Sequence, residues 1–267
     1  INISVSNEMK KKLFIIGGAG NVYIQKLYLK SKGHDYTISK LLVSKRMRKF
    51  LGHTNHALSA DELLELNIKE NFFINALFLI DLIIGKIFKK TFVTEVDLNT
   101  YKSEPLFSTL FYVGYFQKSA EINFTKNNHL IKKSKINEDI FDLCIHFRGG
   151  DFIRYGSQIS NDYYKNSIDM FSRMIDCNFL NIVIVTDDKI YAKKELEKLQ
   201  IDFEYEIKSG NALHDLNVMM SSKHLITSNS TFSLIAALER NNKGITILPK
   251  EFFETFSIVA NKYVFKV

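Results

Sequence analysis

The chain has 267 residues, of which 46% are hydrophobic, and a formal net charge of +7. This composition is typical of a globular protein and excludes a disordered or low-complexity chain. At this length the chain can form two compact domains. The positive charge favours an anionic partner such as nucleic acid, a nucleotide diphosphate or an anionic membrane, although lysines on a solvated surface would have the same effect on composition.

Cysteine content and apolar runs bear on location. The chain has only Cys144 and Cys177, which do not suggest a disulfide framework, so we expect a reducing cytoplasm. The first apolar run, Leu13–Ile16, is too short for a signal peptide. Met9 resembles a natural start, which makes residues 1–8 either a remnant of expression or an upstream extension.

The most apolar stretch of the chain is residues 72–88. Asn75, Asp81, Gly85 and Lys86 interrupt it, so it predicts a buried or interfacial helix rather than a membrane span. Together with the lysine clusters at 10–12, 45–49 and 132–135, this stretch suggests a protein that is cytoplasmic, with peripheral contact to the inner face of the membrane as a further hypothesis.

The first half begins with a strand–helix–strand pattern. Residues 13–16 predict a strand, a glycine-rich turn follows, and residues 22–31 predict a helix that Gly33 ends before extended structure resumes at 34–38. The turn matches a dinucleotide-binding fingerprint only in part, because Tyr23 stands where the third glycine belongs. Gly18, Gly20 and Asn21 are therefore candidate ligand contacts, and a simple tight turn is the alternative.

The rest of the first half carries fewer signals. Residues 39–90 predict mostly helix, with one start at Ser59–Glu62, and strands are expected at 91–96 and 110–116. The polar stretch 125–139 predicts a linker. We therefore expect an N-terminal domain at 1–135 and a C-terminal domain at 136–267.

The second half alternates strands with helices, which predicts an α/β fold with a parallel, doubly wound sheet. Its predicted strands are 141–147, 181–186, 203–207, 224–228 and 244–248, and its predicted helices are 161–175, one capped by Asp187 or Asp188, 212–221, 231–240 and a terminal helix from Lys250.

Ligands of such sheets bind at the carboxyl ends of the strands. His146, Arg148, Gly150 and Asp151 end one predicted strand, and Arg148 suits a phosphate because its guanidinium presents paired donors while glycines let backbone amides approach. A salt bridge from Arg148 to Asp151 is the alternative reading of that pair.

A second strand end offers another anion site. Asn229, Ser230 and Thr231 lead into a helix whose free amides favour anions, although plain helix capping explains Ser230 and Thr231 equally well. Asp215, one helix upstream, could accept the two donors on the Watson–Crick edge of guanine, or be a solvated helix position. The seven histidines have no metal-ligand spacing, so we expect no metal site and no cofactor.

Several ordered segments together resemble glycosyltransferase family 11, the α-1,2-fucosyltransferases. They are Gly17–Asn21, Gly114–Gln117, His146-x-Arg148-x-Gly150-Asp151 and Ser228–Ser233, supported by Tyr163–Tyr164, Thr186–Asp188 and Pro249-Lys250-x-Phe252. The resemblance implies a GT-B-like fold, in which two Rossmann-like doubly wound domains face a cleft, with the acceptor side N-terminal and the nucleotide-sugar site C-terminal. It also implies metal-independent inverting transfer from GDP-fucose.

The resemblance assigns roles as well. It implies that Arg148 and the region of Ser230 bind the donor diphosphate and that Asp215 binds guanine. We expect Arg148 and Asp151 to be the catalytic residues, with Asp151 orienting Arg148. The chain departs from the family where Gly149 replaces the usual second arginine, and where Val22-Tyr23-Ile24 follows Asn21 in place of Gln-Met-Phe.

Three functions remain open on these residues. The first is transfer of L-fucose from GDP-fucose to a sugar hydroxyl, galactose O2 by the resemblance, of a surface glycan such as a lipid-linked oligosaccharide. The second is transfer from another GDP-sugar such as GDP-mannose, because Gly149 alters the motif. The third is a relative that binds glycans or nucleotides without catalysis. None of them involves nucleic acid as a partner, since no recognisable nucleic-acid-binding module is present.

Overall fold

The structure is a computed structural model that describes residues 10–33, 35–43, 68, 70–98, 101–126, 131, 141–176, 180–201, 203–240 and 244–267. The chain divides into two compact units, with the change after Ala120. The predicted boundary at 135/136, most of the predicted linker, the helix start at Ser59–Glu62, residues 1–8, the lysine clusters at 45–49 and 132–135, and Cys177 lie outside the described residues.

The first unit is built on a mostly parallel sheet. Its described elements are β1 (Lys11–Phe14), α1 (Ala19–Ser31), β2 (Tyr36–Ser39), a 3₁₀ turn at Leu41–Val43, α2 (Phe72–Phe88), β3 (Thr94–Leu98), β4 (Tyr101–Ser103) and β5 (Phe111–Gly114). The strand order is β2-β1-β5-β3-β4, and only β4 runs antiparallel to its neighbour. Phe14 and Phe78 stack in its core with ring centroids 3.6 Å apart.

The second unit contains a larger parallel sheet. Its described elements are β6 (Glu121–Asn123), β7 (Leu143–Phe147), α3 (Gly150–Arg154), α4 (Asn161–Ser172), β8 (Ile182–Thr186), α5 (Lys189–Leu199), β9 (Glu206–Lys208), α6 (Ala212–Ser221), β10 (His224–Ile226), α7 (Thr231–Glu239), β11 (Thr246–Leu248), α8 (Lys250–Thr255), β12 (Ser257–Val259) and β13 (Val264–Lys266). Six strands form one sheet in the order β13-β11-β10-β7-β8-β9, and β12 pairs with β6 separately.

The central strands of this sheet are buried on both faces. Every residue of β7, β8, β10 and β11 is buried, as expected for apolar, β-branched strands covered by helices on both sides. The predicted α/β class is thereby confirmed, and the main sheet of each unit is parallel or mostly parallel.

Several predicted elements have the expected bounds. The helices at 72–88 and 212–221 are confirmed residue for residue, and Asp188 caps α5 by accepting hydrogen bonds from the backbone N–H groups of Ile190 and Tyr191. Gly33 has a φ of 67°, the left-handed conformation predicted for the residue that ends α1.

Other expectations were wrong. The terminal helix from Lys250 ends at Thr255, and two strands follow it, because the extended segments at 257–259 and 264–266 pair with β6 and β11. Helix α1 begins at Ala19 rather than Val22, so Gly20 and Asn21 belong to its first turn rather than to the preceding loop.

Helix α2 is only partly the buried helix that its apolar sequence suggests. Phe78, Asp81 and Gly85 are buried, whereas many of its large apolar side chains face outward. No helix among the described residues is both long and apolar enough to cross a bilayer.

The buried carboxylate of Asp81 is satisfied by three donors. Asp81 accepts hydrogen bonds from the backbone N–H groups of Phe92 (2.7 Å) and Val93 (3.1 Å) and from the Thr94 hydroxyl (2.6 Å).

We therefore expect the variant Asp81→Ala to lose about 2–4 kcal/mol of unfolding free energy, because it leaves buried backbone donors without partners. Urea unfolding followed by circular dichroism measures this loss. Lys86→Ala, on the exposed side of the same helix, is the matched control. A stability of Asp81→Ala within about 0.5 kcal/mol of the control would contradict the role given to Asp81.

Candidate active site

The order of strands in the second unit identifies where a ligand site belongs. β7 is the first strand of the large sheet; β8 and β9 extend the sheet on one side of it, and β10, β11 and β13 extend it on the other. The direction in which the chain adds strands reverses between β7 and β10. In open parallel sheets such a switch point leaves a crevice at the carboxyl ends of the two strands, where ligands bind.

A buried hydrogen bond joins the ends of these two strands. Nδ1 of His146 lies 2.8 Å from Oγ of Ser228, and the same hydroxyl accepts a hydrogen bond of 3.2 Å from the backbone N–H of Ser230. Burial and the positive charge of Arg148 lower the pKa of His146 to about 3. His146 is therefore neutral at physiological pH and acts as a hydrogen-bonding partner rather than as a cation.

Arg148 follows β7 and is held by two carboxylates. Its Nη2 lies 2.6 Å from Oδ1 of Asp151, and its Nη1 lies 2.9 Å from Oδ2 of Asp187. Its Nε is buried and has no partner among the described residues, and the guanidinium lies over the ring of Phe152 at 5.3 Å. The salt bridge considered from the sequence is thus present, and a second one accompanies it.

The sequence indicated Asp187 as a possible cap of α5 and as part of the Thr186–Asp188 segment, but not as a partner of Arg148. Phe147 of β7 is opposite Thr186 of β8 in register, so the next residues along, Arg148 and Asp187, emerge side by side. The carboxylate of Asp187 also accepts a hydrogen bond of 2.8 Å from the backbone N–H of Gly149. An acidic residue directly after the neighbouring strand was the signal that could have revealed this pairing.

The two glycines after Arg148 are required by close neighbours. A Cβ at position 149 would lie 2.8 Å from Cδ1 of Tyr191 and 2.9 Å from Cβ of Asp188. Gly150 has a φ of 40°, and a Cβ there would lie 2.5 Å from Oδ2 of Asp187. The start of α5 therefore occupies the space that any side chain at position 149 would need.

The segment after β10 provides the start of a helix. Ser230 is the N-cap of α7 and accepts a hydrogen bond from the backbone N–H of Phe232 at 3.3 Å, so the capping reading of Ser230 is confirmed. Thr231 is the first helical residue. Nδ2 of Asn229 donates to the carbonyl of Ser157 (2.8 Å), whereas its Oδ1 is buried without a described partner. The remaining first-turn amides and the positive end of the helix dipole suit an anion.

Asp215 lies in the first turn of α6 and is buried. Its Oδ1 accepts hydrogen bonds from the backbone N–H of Gly210 (2.9 Å) and from Nδ1 of His214 (3.3 Å). Burial raises the pKa of Asp215, and the negative charge of Asp187 raises it further, so the two carboxylates are close enough to interact. Both of these hydrogen bonds are accepted by Oδ1 of Asp215.

The first unit has a group of its own at the ends of β1 and β5, which are adjacent strands. Gly17 adopts a φ of 75°, and Gly18 begins α1 without a side chain to cap it. Gly20 is buried, and Oδ1 of Asn21 accepts a hydrogen bond of 3.4 Å from Nε2 of Gln117. The hydrogen bond between Asn21 and Gln117 thus joins the Gly17–Asn21 and Gly114–Gln117 segments, both of which carry the family resemblance.

The described residues include no group of three or more His, Cys, Asp or Glu side chains arranged to hold a metal ion.

Comparison with known proteins identifies the family. The model of glycosyl transferase family 11 matches residues 19–263, nearly the whole chain. The chain belongs to glycosyl transferase family 11. It is therefore a glycosyltransferase of the fucosyltransferase type, which uses a nucleotide-sugar donor and a glycan acceptor.

Two further comparisons add context to the assignment of this family 11 member. No curated protein sequence matches the chain. Among solved structures, the chain is similar to the E. coli heptosyltransferase WaaC with ADP-2-deoxy-2-fluoro heptose, at 9% identity and a TM-score of 0.39, over 97% of this chain and 93% of that one.

The crowding at Gly149 generates a prediction for the residue where this family member departs from the usual motif. Gly149→Ala is expected to lower the unfolding free energy by about 1–3 kcal/mol, because its Cβ overlaps Tyr191 and Asp188. Chemical unfolding of the variant beside Arg154→Ala, a change at an exposed residue of α3, measures the difference. Equal stability of the two variants would show that α5 leaves room for a side chain at this position.

Proposed function

We propose that this glycosyltransferase transfers L-fucose from GDP-fucose to a sugar hydroxyl of a surface glycan, with galactose O2 as the acceptor atom and with inversion at the anomeric carbon. Family membership supports a fucosyltransferase-type reaction. The donor, the acceptor atom and the stereochemistry are parts of the proposal, as is transfer without a metal ion.

One observation carries the proposal. At the switch point of the large sheet, the His146–Ser228 hydrogen bond ties together the two strand ends that present Arg148 and the start of α7. A guanidinium and a helix N-terminus at one crevice are suited to a diphosphate, since each supplies donors to phosphate oxygens.

The reaction requires stabilisation of the leaving group. The acceptor hydroxyl oxygen attacks C1 of fucose on the face opposite the diphosphate, the bond from C1 to the phosphate oxygen breaks, and GDP leaves with the bonding electrons. The hydroxyl proton is released to solvent as the new bond forms. Negative charge therefore grows on the diphosphate, and donors already aimed at it lower the barrier. In this proposal Arg148 and the first-turn amides of α7 supply those donors, while Asp151 and Asp187 orient the guanidinium.

The charge of the arginine cluster determines how the donor must bind. One guanidinium between two carboxylates leaves a formal excess of one negative charge, so the diphosphate has to replace one carboxylate or use the unpaired Nε. Asp187 also accepts a hydrogen bond from the backbone N–H of Gly149.

Asp215 is the proposed reader of the base. Guanine presents two donors on its Watson–Crick edge, which a carboxylate accepts together. Asp215 is buried in the first turn of α6 and is held by the backbone N–H of Gly210 through Oδ1, which supports a fixed carboxylate for this role.

The role of Arg148 predicts the outcome of a substitution. Arg148→Ala should lower kcat/KM for GDP release with GDP-fucose and a galactose-terminated acceptor by about 100-fold or more, because it removes a donor to the leaving group. EDTA is present in the assay, since the proposed reaction needs no divalent cation. Arg154→Ala removes an exposed arginine from the same short helix and should match wild type.

Circular dichroism of both variants checks that they are folded. A rate for folded Arg148→Ala within about threefold of wild type would contradict the assigned role, since a single lost leaving-group donor costs far more.

Donor specificity is tested by thermal shifts with GDP, GDP-fucose, GDP-mannose, UDP and CMP compounds. Ligands that bind the folded state raise the melting temperature, so guanine nucleotides should stabilise the protein and the others should not. GDP-fucose should support turnover and GDP-mannose should not. Asp215→Asn should lose most of the GDP-induced shift, because an amide cannot accept both guanine donors.

Other results of this panel contradict separate parts of the proposal. Stabilisation by UDP or CMP compounds alone would contradict a guanine nucleotide as donor. Turnover with GDP-mannose alone would favour the second sugar, and guanine binding without any turnover would favour a catalytically inactive relative.

A further inference from the structure

Helix α2 packs Phe78, Asp81 and Gly85 inward and leaves many of its other large apolar residues exposed. On its inner side the Asp81 carboxylate is satisfied by three donors, and Nδ2 of Asn75 donates to a carboxylate oxygen of Glu70 at 2.7 Å. These contacts fix the rotation of the helix about its own axis. The outward direction of the apolar side is thus a consequence of specific polar contacts beneath it.

The outward side forms a continuous apolar stripe. Its central residues recur three or four positions apart, which places them on one face of the helix, and they are Phe73 (69% exposed), Leu77 (44%), Ile80 (55%), Ile83 (60%) and Ile87 (67%). Over the 17 residues of the helix such a stripe is about 25 Å long. Exposed apolar patches of this extent mark surfaces that bind another protein, a membrane or a ligand.

The loops that follow the helix carry further exposed apolar residues. Phe92 is 43% exposed and stacks on Phe107, which is 66% exposed, with ring centroids 6.2 Å apart. The backbone N–H of Phe107 donates to the carbonyl of Phe92, so the two loops are held together. We call the stripe on α2 the apolar face.

Lysines adjoin the apolar face at one end. Lys86, Lys89 and Lys90 are exposed at the carboxyl end of α2, and the only acidic residue of the helix, Asp81, is buried. The face therefore combines large apolar side chains with exposed positive charge and has no exposed carboxylate on its helix. Lysine side chains are long enough to keep their ammonium groups in a polar layer while their stems lie against apolar surface.

We propose that the apolar face docks onto the surface of an anionic phospholipid bilayer, with α2 parallel to the membrane plane. In this arrangement the isoleucines and phenylalanines lie at the boundary of the acyl chains, and the three lysines contact the anionic headgroups. A bilayer accommodates both features at once, as in helices that lie in the membrane interface. This proposal does not depend on the donor or acceptor of the transfer reaction.

Vesicle binding tests the proposal. The whole protein is sedimented with vesicles of phosphatidylglycerol and phosphatidylcholine, or of phosphatidylcholine alone, at low and high salt. Wild type should bind the anionic vesicles, and bind them less at high salt. Ile80→Glu should weaken this binding by about tenfold or more, because it places a charge in the centre of the stripe.

Two further variants separate the contributions. The triple variant Lys86→Gln, Lys89→Gln, Lys90→Gln should lose about fivefold in affinity per lysine and most of the preference for anionic vesicles. Ile190→Glu is the matched control, because Ile190 is 83% exposed on α5 of the second unit and is not part of the face, and it should bind as wild type does.

Several outcomes would overturn the proposal. Failure of wild type to bind anionic vesicles, or unchanged binding by Ile80→Glu, would do so directly. Two measurements without lipid, melting curves and sedimentation velocity, test whether protein rather than lipid covers the face. If Ile80→Glu melts several degrees below wild type, another part of the chain covers the face; if wild type is a dimer that Ile80→Glu dissociates, a second copy covers it.

Discussion

The pairing of β7 with β8 on one side and with β10 on the other decides where the candidate donor-binding groups of the second unit lie. Register with β8 brings Asp187 beside Arg148, and adjacency to β10 brings Ser228 to the imidazole of His146. Because β7 and β10 flank the switch point of the sheet, the helix starting at Thr231 opens into the same crevice. A strand order rather than any single motif assembles the site.

The neighbours of position 149 give a physical reason for glycine there. The position departs from the usual arginine of the family motif, which in the sequence suggests only a lost cation. In the structure the start of α5 crowds the position through Tyr191 and Asp188, so no side chain fits without movement. Arg148 is the arginine that remains of the motif, and it forms ion pairs with Asp151 and Asp187.

Local signals in the sequence were enough to predict much of the fold. Apolar runs and capping residues predicted α2, α6 and the Asp188 cap, and glycine positions predicted the end of α1. Long-range pairing was not predictable in the same way. Two strands after α8 were missed: β12 pairs with β6, which is distant in sequence, and β13 pairs with β11 on the far side of α8. The orientation of α2 likewise involves donors supplied by residues 92–94.

The candidate site shows the same division. His146, Arg148 and Ser230 could be selected from strand ends and family segments, and Asp215 from the family resemblance. The pairing of Asp187 with Arg148 becomes visible only through the register of β7 with β8. The most direct test of the account is an experimental structure with GDP. The account predicts diphosphate oxygens within hydrogen-bonding distance of the Arg148 guanidinium and the first-turn amides of α7, with guanine at Asp215. A diphosphate bound away from both Arg148 and α7, for instance at the Gly17–Asn21 turn, would contradict it.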